Sequence, residues 1–164
     1  MRRIGIIAAL IFLCADQAAA GWKSHREKSE LTDFENIYWS LTSDNTIRNS
    51  IGVPKKAIFR IMCYQNETRV HFDFHNYMGN RDFVMSYRLD KGAVIETYVT
   101  VSDSGKVFGW WQGYVVGLDF LKSIEGGKRL VVSAAPYNEG AREAVFSITG
   151  IKNAIESVRK ACNW

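Results

Sequence analysis

The chain has 164 residues, with 21 Lys and Arg against 17 Asp and Glu, for a formal charge of +4. That length suits one domain, because two cores would each be too thin, and 47% hydrophobic with 23% charged residues excludes disorder as a description of the whole. Two prolines exclude a Pro-rich linker, and no repeat at a spacing of about 20–50 residues points to a solenoid or propeller.

The first twenty residues read as a targeting segment. Arg2 and Arg3 form a charged head, Ile4 to Leu13 an apolar run of ten, and Ala18-Ala19-Ala20 a small-residue cleavage site. Cleavage between Ala20 and Gly21 is expected, leaving 21–164 as a single exported domain. A run of ten is too short for a bilayer, which needs about 20 apolar residues, so no stable membrane insertion is expected after cleavage. Acylation of Cys14 is disfavoured by Leu13, which stands where a lipoprotein signal needs Gly, Ala or Ser. Loss of two Arg and one Asp takes the charge from +4 to +3. The remaining Lys and Arg are dispersed, and no nucleic-acid partner is expected.

With Cys14 gone, Cys63 and Cys162 remain. Two cysteines in an exported protein most simply form one disulfide. Closing a loop of about 100 residues contributes about 4–5 kcal/mol in the chain-entropy treatment. Neither cysteine has a second Cys or His at metal-ligand spacing.

Residues 21–35, polar and charged, are expected as a mobile lead-in. From Asn36 the pattern has period two, with Ile37, Trp39 and Leu41 on one face. After a polar loop, Ala57–Tyr64 puts Phe59, Ile61 and Cys63 on one side. Gln65-Asn66-Glu67 is a turn, and Thr68–His75 alternates with Val70, Phe72 and Phe74 inward and Arg69, His71, Asp73 and His75 outward. Two alternating runs across a short polar loop predict a hairpin. Phe83–Leu89 and Val94–Val101 are further strands joined by Asp90-Lys91-Gly92, and Ser102–Gly105 turns into Lys106–Trp111. Gly113 and Gly117 break the pattern before a short helical turn, Leu118–Ile124, stopped by Gly126-Gly127. Leu130–Ser133 and Ala144–Ile148 complete the strands. Ile151, Ala154, Ile155, Val158 and Cys162 then form the apolar stripe of a terminal helix, with Thr149 as its N-cap. The predicted fold is mainly β: an antiparallel sandwich or curled sheet of about eight short strands, with a C-terminal amphipathic helix tied on by the disulfide.

No nucleophile elbow, phosphate loop, C-x-x-C or H-E-x-x-H motif occurs, so no catalytic residue is assigned and no cofactor is expected. His71, Asp73 and His75 stand at strand spacing of about 6.6 Å. Either adjacent pair can reach one ion but all three cannot, and a solvated polar face is the plainer reading. Asn66-Glu67-Thr68 is read as turn chemistry. Trp110-Trp111, followed by Tyr114, is the unusual feature. Neighbours on a strand face opposite sides, so one Trp packs inside and the other reaches the surface. Trp110, Trp111 and Tyr114 are therefore the expected partner-binding residues.

Met62-Cys63-Tyr64-Gln65-Asn66-Glu67-Thr68, Tyr87-Arg88-Leu89-Asp90 and Ala135-Pro136-Tyr137-Asn138-Glu139 look like successive motifs of one family. The strongest match is the ending, from Ala144-Val145-Phe146-Ser147-Ile148-Thr149-Gly150-Ile151 to Ala161-Cys162-Asn163-Trp164. Over about residues 36–164 these resemble the VasI/TagO-like family, periplasmic accessory proteins associated with type VI secretion systems. The chain departs from the family's pattern over Lys106–Phe120. The resemblance implies a non-enzymatic protein of the periplasm, or one released from it, whose partners are envelope or secretion-apparatus proteins, and it matches Cys63 and Cys162 to the family's two cysteines. The alternative is a periplasmic inhibitor of a lytic enzyme or a cell-wall-binding module; a hydrolase is the third reading.

Overall fold

A computed structural model describes residues 21–111 and 115–164. The expected signal segment 1–20, with Ala20, and Tyr114 lie outside the described residues. Thirteen elements follow in chain order: β1 (Lys23–Lys28), β2 (Glu35–Thr42), β3 (Ile47–Arg48), β4 (Pro54–Lys55), β5 (Ile58–Tyr64), β6 (Glu67–Asp73), β7 (Phe83–Leu89), β8 (Val94–Val101), β9 (Val107–Trp110), α1 (Val115–Ile124), β10 (Arg129–Ala134), β11 (Arg142–Ser147) and α2 (Ile151–Ala161).

Nine strands form one sheet in the order β1-β2-β5-β6-β9-β8-β7-β10-β11, every pairing antiparallel, and β3 and β4 form a separate small hairpin. The sheet curls. Phe59 of β5 and Phe146 of β11, far apart in strand order, bring their rings within 5.8 Å. The Asp44 N–H donates to the Val145 carbonyl at 2.7 Å, so the segment after β2 reaches β11 at the other end of the sheet.

The inner face follows directly from period-two alternation. Leu41, Phe59, Phe72 and Phe108 lie in one cross-strand row, and Trp39, Ile61, Val70 and Trp110 in the next. Phe59, Phe72, Phe108 and Phe146 are wholly buried. α1 inserts Phe120 among them, 6.3 Å from Phe59 and 4.8 Å from Trp110. Gly117 fits here for lack of a side chain: a Cβ would sit 3.0 Å from that of Trp110. It permits a close approach within a full helix, where the sequence suggests only a break before a shorter turn.

α2 buries Ile151, Ala154, Ile155 and Val158 and packs on β2 and β5. Cys162 just beyond it bonds Cys63 of β5, a closure of 99 residues in sequence. The Trp164 indole N–H also donates to the Thr68 hydroxyl at 2.7 Å, so the chain end is held on β6 as well. The helix is not capped by Thr149. Gly150, in the left-handed conformation, takes the N-cap place with no side-chain cap bond.

Residues 21–35, expected as a lead-in without an element of its own, instead supply β1. All six of its side chains are exposed, so it carries no hydrophobic alternation to read. It is held by its backbone pairing with β2 and by polar contacts, Arg26 to Glu35 at 3.1 Å and the Tyr38 hydroxyl to Glu27 at 3.0 Å. Such a charged edge resists pairing with other chains.

Candidate functional site

The hairpin β5–β6 is built by a two-residue turn. Gln65 and Asn66 both have positive φ, 51° and 61°, which matches the twist of the flanking strands. The Asn36 side chain fixes the turn by accepting from the Gln65 N–H at 2.9 Å. The turn sets the register Arg60 to His71 and Met62 to Arg69, which places all four on the outer face.

β6 then pairs with β9 rather than with the next strand in sequence, and His71 stands opposite Gly109. The glycine is required, because a Cβ there would run into the Val70 carbonyl oxygen. It also leaves the position beside His71 without a side chain. Trp111, one residue past the β9 ladder and turned outward, fills the gap: its ring lies 3.7 Å from that of His71, centroid to centroid, tilted by 44°. His71 is thereby covered, only 6% exposed, although its position on the strand marks it as outward.

Two arginines flank this pair. Arg69 stacks over Tyr64 at 4.8 Å and pairs with Glu67 at 2.8 Å. Arg60 lies 3.9 Å from Asp73. Burial, and then the guanidiniums of Arg69 and Arg60, push the His71 imidazole down to about 3, so it is neutral at ordinary pH. Three nitrogens in this small area are buried without a hydrogen-bond partner among the described residues: His71 Nε2, Arg69 Nε and Trp111 Nε1. Each such group costs about 1–3 kcal/mol relative to a paired one. A shallow groove lined by Arg69, Val101, Ser102, Asp103 and Trp111 runs beside them.

Trp110 lies in the core, 3% exposed, with its indole N–H donating to the Tyr98 carbonyl at 3.0 Å. Of the expected partner residues, Trp111 is the one the described structure places on the outer face. Asp73 and His75 stay close, 3.6 Å between carboxylate and ring, but Asp73 also accepts from the His75 backbone N–H and His75 Nε2 meets the Lys56 carbonyl at 3.0 Å. Both groups are thus engaged by protein, while His71 is turned under Trp111. Among the described residues no cluster of three His, Cys, Asp or Glu is placed to hold a metal, and no helix is long and apolar enough to cross a membrane. Sequence reasoning missed Arg69 and His71 as neighbours of Trp111, since the β6–β9 pairing joins segments about 40 residues apart.

The fold and the site define a disulfide-pinned antiparallel β domain, closed on its inner face and carrying an aromatic and cationic patch on its outer face. The same architecture occurs in the crystal structure of invasion associated protein B from Bartonella henselae, with a TM-score of 0.55 at 11% identity, covering 88% of this chain and 95% of that one. No curated protein matches the sequence. The family model described as type VI secretion system VasI, EvfG, VC_A0118 matches residues 15–164, and the chain belongs to that family.

Proposed function

We propose that the protein is an exported accessory component of a type VI secretion apparatus, working in the periplasm by protein contact and without catalysis. Family membership carries the reading. The disulfide fits an oxidising compartment, and the charged head, apolar run and Ala18-Ala19-Ala20 fit export. The surroundings of the histidines also favour contact over chemistry. His71 is covered by an indole, His75 is bonded to a backbone carbonyl, and His25 lies exposed on the edge strand beside Glu27. Among the described residues none of them bonds a hydroxyl or thiol in the way that activates a nucleophile.

The test is a crosslinking pulldown from the envelope of the native cell. Recovery of secretion-apparatus membrane subunits, lost on Trp111→Ala, is the expected result. Recovery of a murein hydrolase, or of cell-wall fragments alone, overturns it in favour of an inhibitor or wall-binding protein.

A further inference from the structure

The patch under Trp111 holds more unpaired hydrogen-bonding capacity than a stabilising surface needs. Two of its three unpartnered nitrogens, Arg69 Nε and Trp111 Nε1, are obligate donors, and His71 Nε2 is a third when the proton sits there. Arg69 and His71 are two residues apart on one strand face, about 6.6 Å, and Trp111 stacks on His71 at 3.7 Å. Arg69 and Trp111 also line one groove, so the three donors gather at one place on the outer face. His71 is more than nine-tenths buried, so its ring is held in place rather than solvated.

The charge balance selects the kind of anion. Arg69 is already paired with Glu67, Arg60 stands near Asp73, and Asp103 lines the adjoining groove. Little net positive potential remains for a dianion. What remains is a set of N–H groups beside flat aromatic and guanidinium surfaces, which suits a planar monoanion. Tyr64 and Val101 beside it extend the patch into an apolar rim of the kind a protein partner covers.

We propose that Arg69, His71 and Trp111 receive one carboxylate of a partner protein, an Asp or Glu side chain, which enters by the groove at Val101–Asp103 as the indole of Trp111 shifts from His71 to donate to it. The proposal deepens the protein-contact reading and rests on it.

The test uses the full exported protein and N-acetylglutamate amide as the carboxylate probe, followed through the Trp111 indole N–H signal in nitrogen–proton NMR. The expected result is a saturating shift with a Kd on the order of millimolar, no shift with the N-acetylglutamine amide isostere, and binding weakened at least about tenfold in Arg69→Gln. An unmoved indole signal overturns the site, as does an equal response to the glutamine isostere. Sulfate, a dianion at neutral pH, binding as tightly as the carboxylate overturns the choice of a monoanion. Should Arg69→Gln fail to fold by circular dichroism, Trp111→Phe keeps the ring and loses the donor. Binding in that variant is read on the Arg69 Nε signal, and weakening of at least about fivefold is expected; unchanged binding there overturns the site. A pulldown that still recovers secretion subunits while the carboxylate probe fails sinks this site and leaves the accessory role standing.

Discussion

Trp110 and Trp111 are neighbours in sequence and opposites in surroundings. Trp110 faces inward, its ring 4.8 Å from Phe120 and its N–H given to the Tyr98 carbonyl. Trp111 faces outward, stacked on His71, with its N–H given to nothing among the described residues. A buried indole kept for stability normally finds a partner for its N–H, as Trp110 does. The outer one covers a neutral histidine between two arginines and leaves three polar atoms unpaired. Trp22 and Trp39 also keep an indole N–H with no partner among the described residues, so what marks the Trp111 patch is the gathering of three unpaired nitrogens in one place.

The separate settings of the two indoles depend on Gly109, which lets β6 and β9 approach in this register. Gly109→Ala is expected to cost more than about 4 kcal/mol, because the new Cβ meets the Val70 carbonyl oxygen, a backbone atom that cannot step aside. Denaturant unfolding checks this, and a variant as stable as the parent would contradict the β6–β9 register itself. Trp110→Ala comes next, with a loss of about 3–4 kcal/mol for removing a core aromatic. An effect under about 1 kcal/mol would mean that Trp110 is not the packing member of the pair.

Much of the inner face is legible in the sequence, and the outer site largely is not. Phe59, Ile61 and Cys63, then Val70, Phe72 and Phe74, announce themselves by alternation, and the Cys63–Cys162 bond by the expectation that Cys14 leaves with a signal segment. Alternation also marks His71 as outward, which it is. Alternation cannot show that β9 lies beside β6, because β7 and β8 intervene in sequence but not at that edge. The cover over His71 therefore has no local signal; Gly109 followed by two indoles is its only trace. β1 is hidden for a different reason: an edge strand held by backbone pairing with every side chain exposed offers no hydrophobic pattern to find. Gly150 in place of Thr149 at the helix start is likewise a matter of backbone conformation, which side-chain chemistry alone does not reveal.

The histidine under Trp111 gives the patch a pH signature that the inner face lacks. His71 is held near 3 in the folded chain and returns to about 6.5 on unfolding. Between those values the unfolded chain binds the extra proton, so stability is complete above about pH 6.5 and falls as pH drops toward about 3. The slope from this one group is at most just over 1 kcal/mol per pH unit. Carboxylates titrate in the lower part of the same window, so the measurement is the difference between parent and His71→Gln across pH 4–7. The variant is expected to lose less stability on acidification than the parent. Parallel curves would show that His71 is not held neutral by its cover.

Trp111→Ala is expected to have the smallest effect on stability and the most specific one on contact. Removing the indole gives up its stack on His71, but it also deletes one unpaired N–H and lets water reach the nitrogens of His71 and Arg69, which offsets part of the loss. The net change in unfolding free energy should stay within about 1 kcal/mol. Exposure should also raise the His71 imidazole toward its ordinary value, since burial is the first cause of its depression, and proton NMR of the ring reads that directly. A loss as large as that of Trp110→Ala would make both indoles packing residues and remove the reason to place a partner on this face. A stable variant with a titrating His71 and no partner recovered from the envelope would separate the two tryptophans by role as cleanly as the sheet separates them by side.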